Sequence, residues 1–498
     1  MIRFLQNHLG RVAAAVEMID GQRVYRIVGV PYARAGRFER SRIVETYEAG
    51  GLVNRERACC FPQRAVPRFF NFFMKHHMMR PEWLVENDIQ TEDAFVVNIW
   101  TMDFDTAKPV LVYLHGGGDS GSGTAPIYDG AYLASRGIVV VTVTYRIGYF
   151  GYLPVFDDNG ELSCNRAAQD QQAALRWVRA HISEFGGDAG NITLMGQSGG
   201  ALSSLNQFLN PISQRQFDKL ILCAGPMPTA VPVDGLRERF LTVLKENGIR
   251  DFAELKRLPV RKLLRLRAKN AMMDVIDGDF FARDPKAIFE ACEVPEIPIL
   301  IGTNDDEFSM IEMGMFYRPL GIATKARDLD HALAAKYGEY SEKLRRAVEP
   351  EAKSLIDLQI KMLETAVFHT VSYRLLEKFS QRCPVYGYRF GYVPNLYGGL
   401  RGSYHGAEVA MFFGNLDKMR IQITDQNRRE MAAVQMDWLA FIRGGSIPNR
   451  ERYDAASKRI IRYLREPEMV PFPNADLIGE LAETDIYERA FGEYLRNR

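Results

Sequence analysis

The ten residues Asn-Ile-Thr-Leu-Met-Gly-Gln-Ser-Gly-Gly at positions 191–200 constrain this chain more than any others. A β-branched, apolar run here meets Gly-x-Ser-x-Gly, and Ala201, Leu202, Leu205 and Phe208 follow at helical spacing. A buried strand must therefore stop, turn sharply and hand over to a helix. Glycines on either side of Ser198 remove the Cβ atoms that so tight a turn would crowd. They predict a serine in strained backbone with its Oγ exposed. Short patterns of this kind also recur by chance as plain glycine-rich turns, so its meaning depends on the rest of the chain.

The surroundings have an α/β rhythm. Val110 to Leu114 and Ile138 to Val143 read as buried strands, and Gln169 to Phe185 as an amphipathic helix. Ala173, Leu175, Trp177, Val178 and Ile182 mark the buried side of that helix. Lys219 to Cys223 and Ile297 to Ile301 add two further strands downstream. Strands alternating with helices imply a mostly parallel central sheet covered on both faces. Before it, Val12, Ala14 and Val16 alternate, Asp20-Gly21 turns the chain, and Val24 to Val28 return in a hairpin-like opening. Phe95 to Trp100 reads as another strand. Residues 232–290 and 319–380 are helix-rich, with solvated charges on their polar faces. No repeat, low-complexity tract or linker separates a second domain, so residues 1–498 are expected to form one α/β domain carrying helical insertions. Phe69 to Met79, aromatic and methionine-rich without a clear period, reads as a segment packed on the core, with a mobile flap over a binding site as the alternative.

Composition excludes several function classes. A net charge of +1 gives no electrostatic reason to expect nucleic acid or an anionic membrane as partner. Charges break every apolar run short of a membrane span, and the N-terminus lacks an apolar leader core, so a cytoplasmic protein is expected. The six cysteines, Cys59, Cys60, Cys164, Cys223, Cys292 and Cys383, have no metal-ligand or redox spacing and read as mostly buried free thiols in a reducing compartment. Nothing here fixes an oligomeric state.

A serine hydroxyl becomes a useful nucleophile only when a base takes its proton and a third group orients that base. Of the eight histidines, His8, His76, His77, His181, His331 and His369 lie in polar, helical or flap-like contexts, and His115 opens a triple-glycine loop. His405 sits in the polar loop Gly-Ser-Tyr-His-Gly-Ala-Glu, just before an apolar helix start and far downstream of Ser198. A nucleophile elbow requires its base in that order. The orienting acid belongs between them at a strand end, where Asp305, Asp306 and Glu307 compete. Their pattern alone does not choose. An oxyanion needs backbone N–H donors that a substrate can approach closely, and His115-Gly116-Gly117-Gly118 follows the first long strand where such a loop belongs. The N–H of Gly199, directly after the nucleophile, is a further donor.

Taken together these stretches resemble the type B carboxylesterases, an α/β-hydrolase group that includes bacterial p-nitrobenzyl esterases and cholinesterases. The resemblance runs along nearly the whole chain. It is carried by Gly29-Val30-Pro31-Tyr32-Ala33, Thr91-Glu92-Asp93 with Asn98, the His115 loop, Tyr145 to Leu153, and Asp170-Gln171 with Ala174 to Val178. Phe185 to Asp188, the elbow, Asp305 to Glu307, His405 to Glu408, and Trp438 to Asn449 continue it. It implies a catalytic triad of Ser198, Glu307 and His405, oxyanion donors Gly117, Gly118 and Gly199, and two ion pairs behind the site, Arg37 with Glu92 and Arg146 with Asp170. It also implies a serine carboxylic-ester hydrolase that works on small-molecule esters and needs no metal or cofactor. An amidase, carbamate hydrolase or thioesterase would use the same machinery. A non-catalytic adhesion or scaffolding relative would lack part of the triad.

The departures from the family pattern narrow the expectation. Gln197 stands where a glutamate commonly precedes the nucleophile, which removes a negative charge and argues against cationic choline esters. Gly199 replaces an alanine, and Phe308 a glycine. Cys223-Ala224-Gly225-Pro226 stands where relatives often carry Gln-Ser-Gly-Ser, and Ala94 where secreted relatives place a disulfide cysteine. Neutral, fairly apolar esters of short to medium acyl chain are therefore the expected substrates.

Overall fold

The computed structural model of the chain describes residues 2–48, 50–55, 57–64, 89–118, 120–268, 271–309, 320–393, 402–419 and 422–492. Its frame is a 12-stranded sheet. In chain order the strands are β1 (Ile2–Asn7), β2 (Gly10–Ile19), β3 (Gln22–Pro31), β4 (Val96–Thr101), β5 (Lys108–Leu114) and β6 (Val139–Val143). They continue with β7 (Gly187–Gln197), β8 (Lys219–Cys223), β9 (Ile299–Asn304), β10 (Val385–Phe390), β11 (Arg459–Tyr463) and β12 (Glu468–Pro471). Across the sheet they run β1-β2-β3-β4-β6-β5-β7-β8-β9-β10-β11-β12. From β6 through β11 every neighbour is parallel, while the first strands and β12 pair antiparallel.

Burial on both faces explains why the central strands read as unbroken apolar runs. Along β5, Val110, Val112 and Leu114 enter one core with Trp177, whereas Leu111 and Tyr113 enter the other with Trp438. Trp177 belongs to helix α1 (Arg166–His181), which shares its layer with α2 (Gly199–Leu209); Trp438 belongs to the long helix of residues 425–444 on the opposite face. The period of two thus survives as a division between two cores.

Most expected elements appear with shifted ends. The helix expected over Gln169 to Phe185 begins at Arg166 and closes as a 3₁₀ turn over Ile182–Phe185. The strand expected over Ile297 to Ile301 covers Ile299–Asn304 and delivers its end directly to the acidic triplet. The region 232–290 carries helices Leu236–Glu246, Phe252–Arg257, Val260–Leu263 and Pro285–Glu290. Residues 319–380 carry Leu329–Tyr337, Ser341–Val348, α3 (Leu355–Glu364) and α4 (Thr370–Phe379). All six cysteines are buried. The Phe69 to Met79 segment lies outside the described residues. Among the described residues no helix is long and apolar enough to cross a membrane.

Both expected ion pairs form. Arg146 grips buried Asp170 with two guanidinium nitrogens, Nε at 2.7 Å and Nη2 at 2.6 Å. Arg37 Nε donates to Glu92 at 2.8 Å and a second guanidinium nitrogen takes the other carboxylate oxygen. The Arg146 pair ties the segment after β6 to α1.

Candidate active site

Ser198 sits between β7 and α2 with φ 57° and ψ −127°, a conformation that L-residues avoid. The turn is held from outside: Ser198 N donates to Cys223 O at the end of β8 at 2.8 Å, and Ser198 O receives Ala201 N at 2.9 Å. The two flanking glycines are needed for space. A Cβ on Gly196 would run into the carbonyl oxygen of Gly200, and one on Gly200 into that of Leu114. Ser198 itself is only half-buried, so the strained turn presents its Oγ as the sequence pattern predicts.

His405 enters from the loop before α5 (Ala407–Phe413). Its Nδ1 lies 2.5 Å from Glu307 Oε2. Glu307 is almost fully buried, and its other oxygen accepts Asn304 N at 2.6 Å. Asn304 in turn donates from Nδ2 to Tyr404 O at 2.7 Å and to Glu408 Oε2 at 2.6 Å, which fixes the histidine loop to the end of β9. Burial acts to lower the His405 pKa, but the charge and hydrogen bond of Glu307, with the charge of Glu408, outweigh it, and the net shift is upward. The carboxylate thereby holds the imidazole proton on Nδ1 and leaves the Nε2 lone pair as an acceptor.

The three competing carboxylates have three different environments. Asp305 is bridged by Arg389 Nε and Arg462 Nη2, both at 2.9 Å. Asp306 accepts Ser403 N at 2.9 Å and lies 3.8 Å from Lys361 Nζ. Glu307 alone of the three contacts His405. The other buried histidine near the elbow, His115, is unsuited to be a base. Burial lowers its pKa to about 4, its ring stacks on Tyr145 at 4.4 Å, and its Nδ1 lies 2.9 Å from Gly116 O.

The glycine loop closes on the turn that carries Ser198. A Cβ placed on Gly199 would stand 3.5 Å from Gly117 N and 3.6 Å from Gly118 N, so those two amide nitrogens border the residue after the nucleophile. Gly117 and Gly118 both take positive φ, 107° and 66°, and a Cβ on Gly117 would strike the carbonyl of Ser120. Such a cluster of backbone donors at a helix N-terminus can stabilise a developing oxyanion. Among the described residues no group of His, Cys, Asp and Glu could hold a metal ion.

One expected contact is not made. Ser198 Oγ has no hydrogen bond to a described residue; instead the Gln197 side-chain amide Nε2 lies 3.1 Å from His405 Nε2. Sequence reasoning also missed Phe368, whose ring lies 5.1 Å from that of His405, and Glu364, whose carboxylate accepts Phe308 N at 2.8 Å beside the acid. Phe368 sits in a π-helical turn, Thr365–His369, between α3 and α4. A π turn leaves no periodic mark in a sequence, so no signal pointed to it.

The sequence profile of the carboxylesterase family matches residues 3–469. The para-nitrobenzyl esterase of Bacillus subtilis (strain 168) is 31% identical over 385 residues, covering 72% of this chain and 75% of that protein. The cocaine esterase of Oryctolagus cuniculus is 25% identical over 484 residues, 89% of this chain and 88% of the relative. Among solved structures, a thermophilic PNB esterase superposes with a TM-score of 0.78 at 26% identity, covering 96% of this chain and 99% of its own.

Proposed function

The chain belongs to the carboxylesterase family, has the α/β-hydrolase fold and is a carboxylesterase, and from that premise we propose that it hydrolyses esters through an acyl-enzyme on Ser198. Ser198 Oγ attacks the ester carbonyl while His405 Nε2 accepts its proton. Glu307 keeps the imidazole in the required tautomer and stabilises the imidazolium that forms. The N–H groups of Gly117, Gly118 and Gly199 receive the oxyanion. His405 then gives the proton to the departing alcohol, and a water repeats the sequence on the acyl-serine. The contact between Glu307 and His405 beside a strained serine is the observation that carries this reading.

The substrate reading rests on Gln197, which is buried next to the nucleophile and carries no charge. A carboxylate there would add a negative potential where screening is weak. With an amide, a cationic leaving group gains nothing, and neutral, fairly apolar esters of short to medium acyl chain are the substrates we assign. The free, buried thiols of Cys164, Cys223, Cys292 and Cys383 support a cytoplasmic location. We also read the helices of 232–290 and 319–380 as insertions in one domain, since Asn165 and Asn206 bind the first of them directly through Val275 and Asp274.

The test combines a fluorophosphonate probe with matched esters, amides and thioesters. The probe is expected to label Ser198 and abolish hydrolysis, and Ser198→Ala to be inactive. A choline ester is expected to show kcat/KM no more than roughly tenfold above its 3,3-dimethylbutyl isostere, a difference of about 1.4 kcal/mol. Labelling at another serine removes the nucleophile assignment, and a strong choline preference removes the substrate reading.

A further inference from the structure

The Nε2 atom of His405 has one in-plane lone pair when the imidazole is neutral, and the structure shows what occupies it. Glu307 accepts a hydrogen bond from Nδ1–H at 2.5 Å, so Nε2 is the acceptor, and the nitrogen 3.1 Å away is the side-chain Nε2 of Gln197, a donor. The neighbouring nucleophile, Ser198, makes no hydrogen bond to a described residue. We propose that Gln197 is a positioning residue that latches the general base in a resting state, occupying the lone pair that must accept the Ser198 proton. This rests on His405 being that base.

Space around the amide supports a latch that opens. Gln197 lies between two glycines: a Cβ on Gly406 would stand 3.6 Å from its Nε2, and one on Gly116 3.4 Å from its Oε1. With no side chain on either flank, the amide can turn. Attack by Ser198 requires the Gln197 N–H to leave Nε2. The proton moves from Oγ to Nε2 as Oγ bonds to the ester carbon, and the amide, turned aside, no longer competes for that nitrogen. The Gln197 N–H therefore stabilises the neutral ring and not the imidazolium. A carboxylate at that position could accept from the imidazolium but could not donate to the neutral ring.

The ionisable groups that face His405 are Glu307 from the end of β9 and Glu408 from α5, with Glu364 of α3 acting on Glu307 from behind. Phe368 covers the ring and is uncharged. Position 197 is thus the place where a charge can be added without disturbing the acid that orients the base.

Gln197→Met, which keeps the chain length and removes the donor, separates the latch from simple packing. The readouts are the second-order rate of fluorophosphonate labelling and the pH profile of kcat/KM, with folding checked by circular dichroism. Gln197→Met is expected to label roughly two- to tenfold faster than wild type, the weight of one neutral hydrogen bond, with the acid limb raised by no more than about a unit because a donor to the neutral ring is lost. Gln197→Ala is expected to change the rate in the same direction and covers a methionine variant that does not fold. Gln197→Glu is expected to raise the midpoint of the acid limb by about a unit or more. Folded Gln197→Met and Gln197→Ala variants that label no faster than wild type overturn the latch, as does a Gln197→Glu profile with an unmoved midpoint. A wild type in which Ser198 does not label at all overturns the catalytic assignment instead, a different result from slow labelling.

Discussion

Asp305, Asp306 and Glu307 follow one another at the end of β9, and each is held by a different neighbour. The sequence narrowed the orienting acid to these three without separating them, because adjacent residues in a turn diverge by backbone geometry that composition does not encode. Their partners come from far away: Arg389 and Arg462 for Asp305, Ser403 and Lys361 for Asp306, His405 for Glu307. Glu307→Gln is expected to lower kcat on the order of 10³-fold or more, by analogy with losing the orienting acid of other triads. Asp305→Asn is expected to leave kcat within a small factor but to cost about 1–3 kcal/mol of stability, since two partly buried guanidinium groups lose their counter-charge. Kinetics and denaturant unfolding on the same two variants check both halves. A large kcat loss in Asp305→Asn, or a small one in Glu307→Gln, places the acid elsewhere.

Elements were legible where burial imposes a pattern. The strands β5 to β9 announce themselves through apolar runs, and the elbow through its glycines. Strand β10 was not seen, although it is buried throughout, because Gly387 and Arg389 interrupt its apolar run. Strand β1 is largely exposed and has no apolar pattern to read; its place comes from pairing with β2, Ile2 opposite Ala15. A contact between elements yields a pH prediction. Asp274, at the edge of the first helical insertion, accepts Asn206 Nδ2 of α2 at 3.1 Å, and burial raises its pKa from 3.8 to about 7. The folded protein therefore binds this proton more tightly than the unfolded chain. Its contribution to stability is full below about 3.8 and falls as pH climbs towards 7. Asp274→Asn, which keeps an acceptor and cannot ionise, is expected to gain stability relative to wild type over that window. The difference in Tm between the two proteins, measured at pH 5 and pH 8, is expected to move in the variant's favour; a constant difference shows that Asp274 does not titrate there.

For the molecule as a whole, the candidate site draws its parts from strands in the middle of the sheet. The glycine loop follows β5, Ser198 follows β7, Glu307 follows β9 and His405 follows β10. Chain order was enough to assign His405 its place, but the sequence could not show that Gln197 would reach Nε2 before Ser198. That contact depends on how two loops 208 residues apart in the chain come to rest. The same separation governs when activity can arise. During synthesis the elbow and the glycine loop leave the ribosome well before the acid and the histidine exist, so a partly made chain has its nucleophile in place and no means to activate it. Long-range pairings of this kind form late, because loop-closure entropy opposes them until most of the structure is present. In refolding from denaturant, far-ultraviolet dichroism is expected to recover ahead of esterase activity, with labelling of Ser198 returning only in the slowest phase; activity that returns together with the earliest dichroism change contradicts this. Hydrolysis is thus a report on completion: a chain that cleaves an ester has already brought its last parallel strands home.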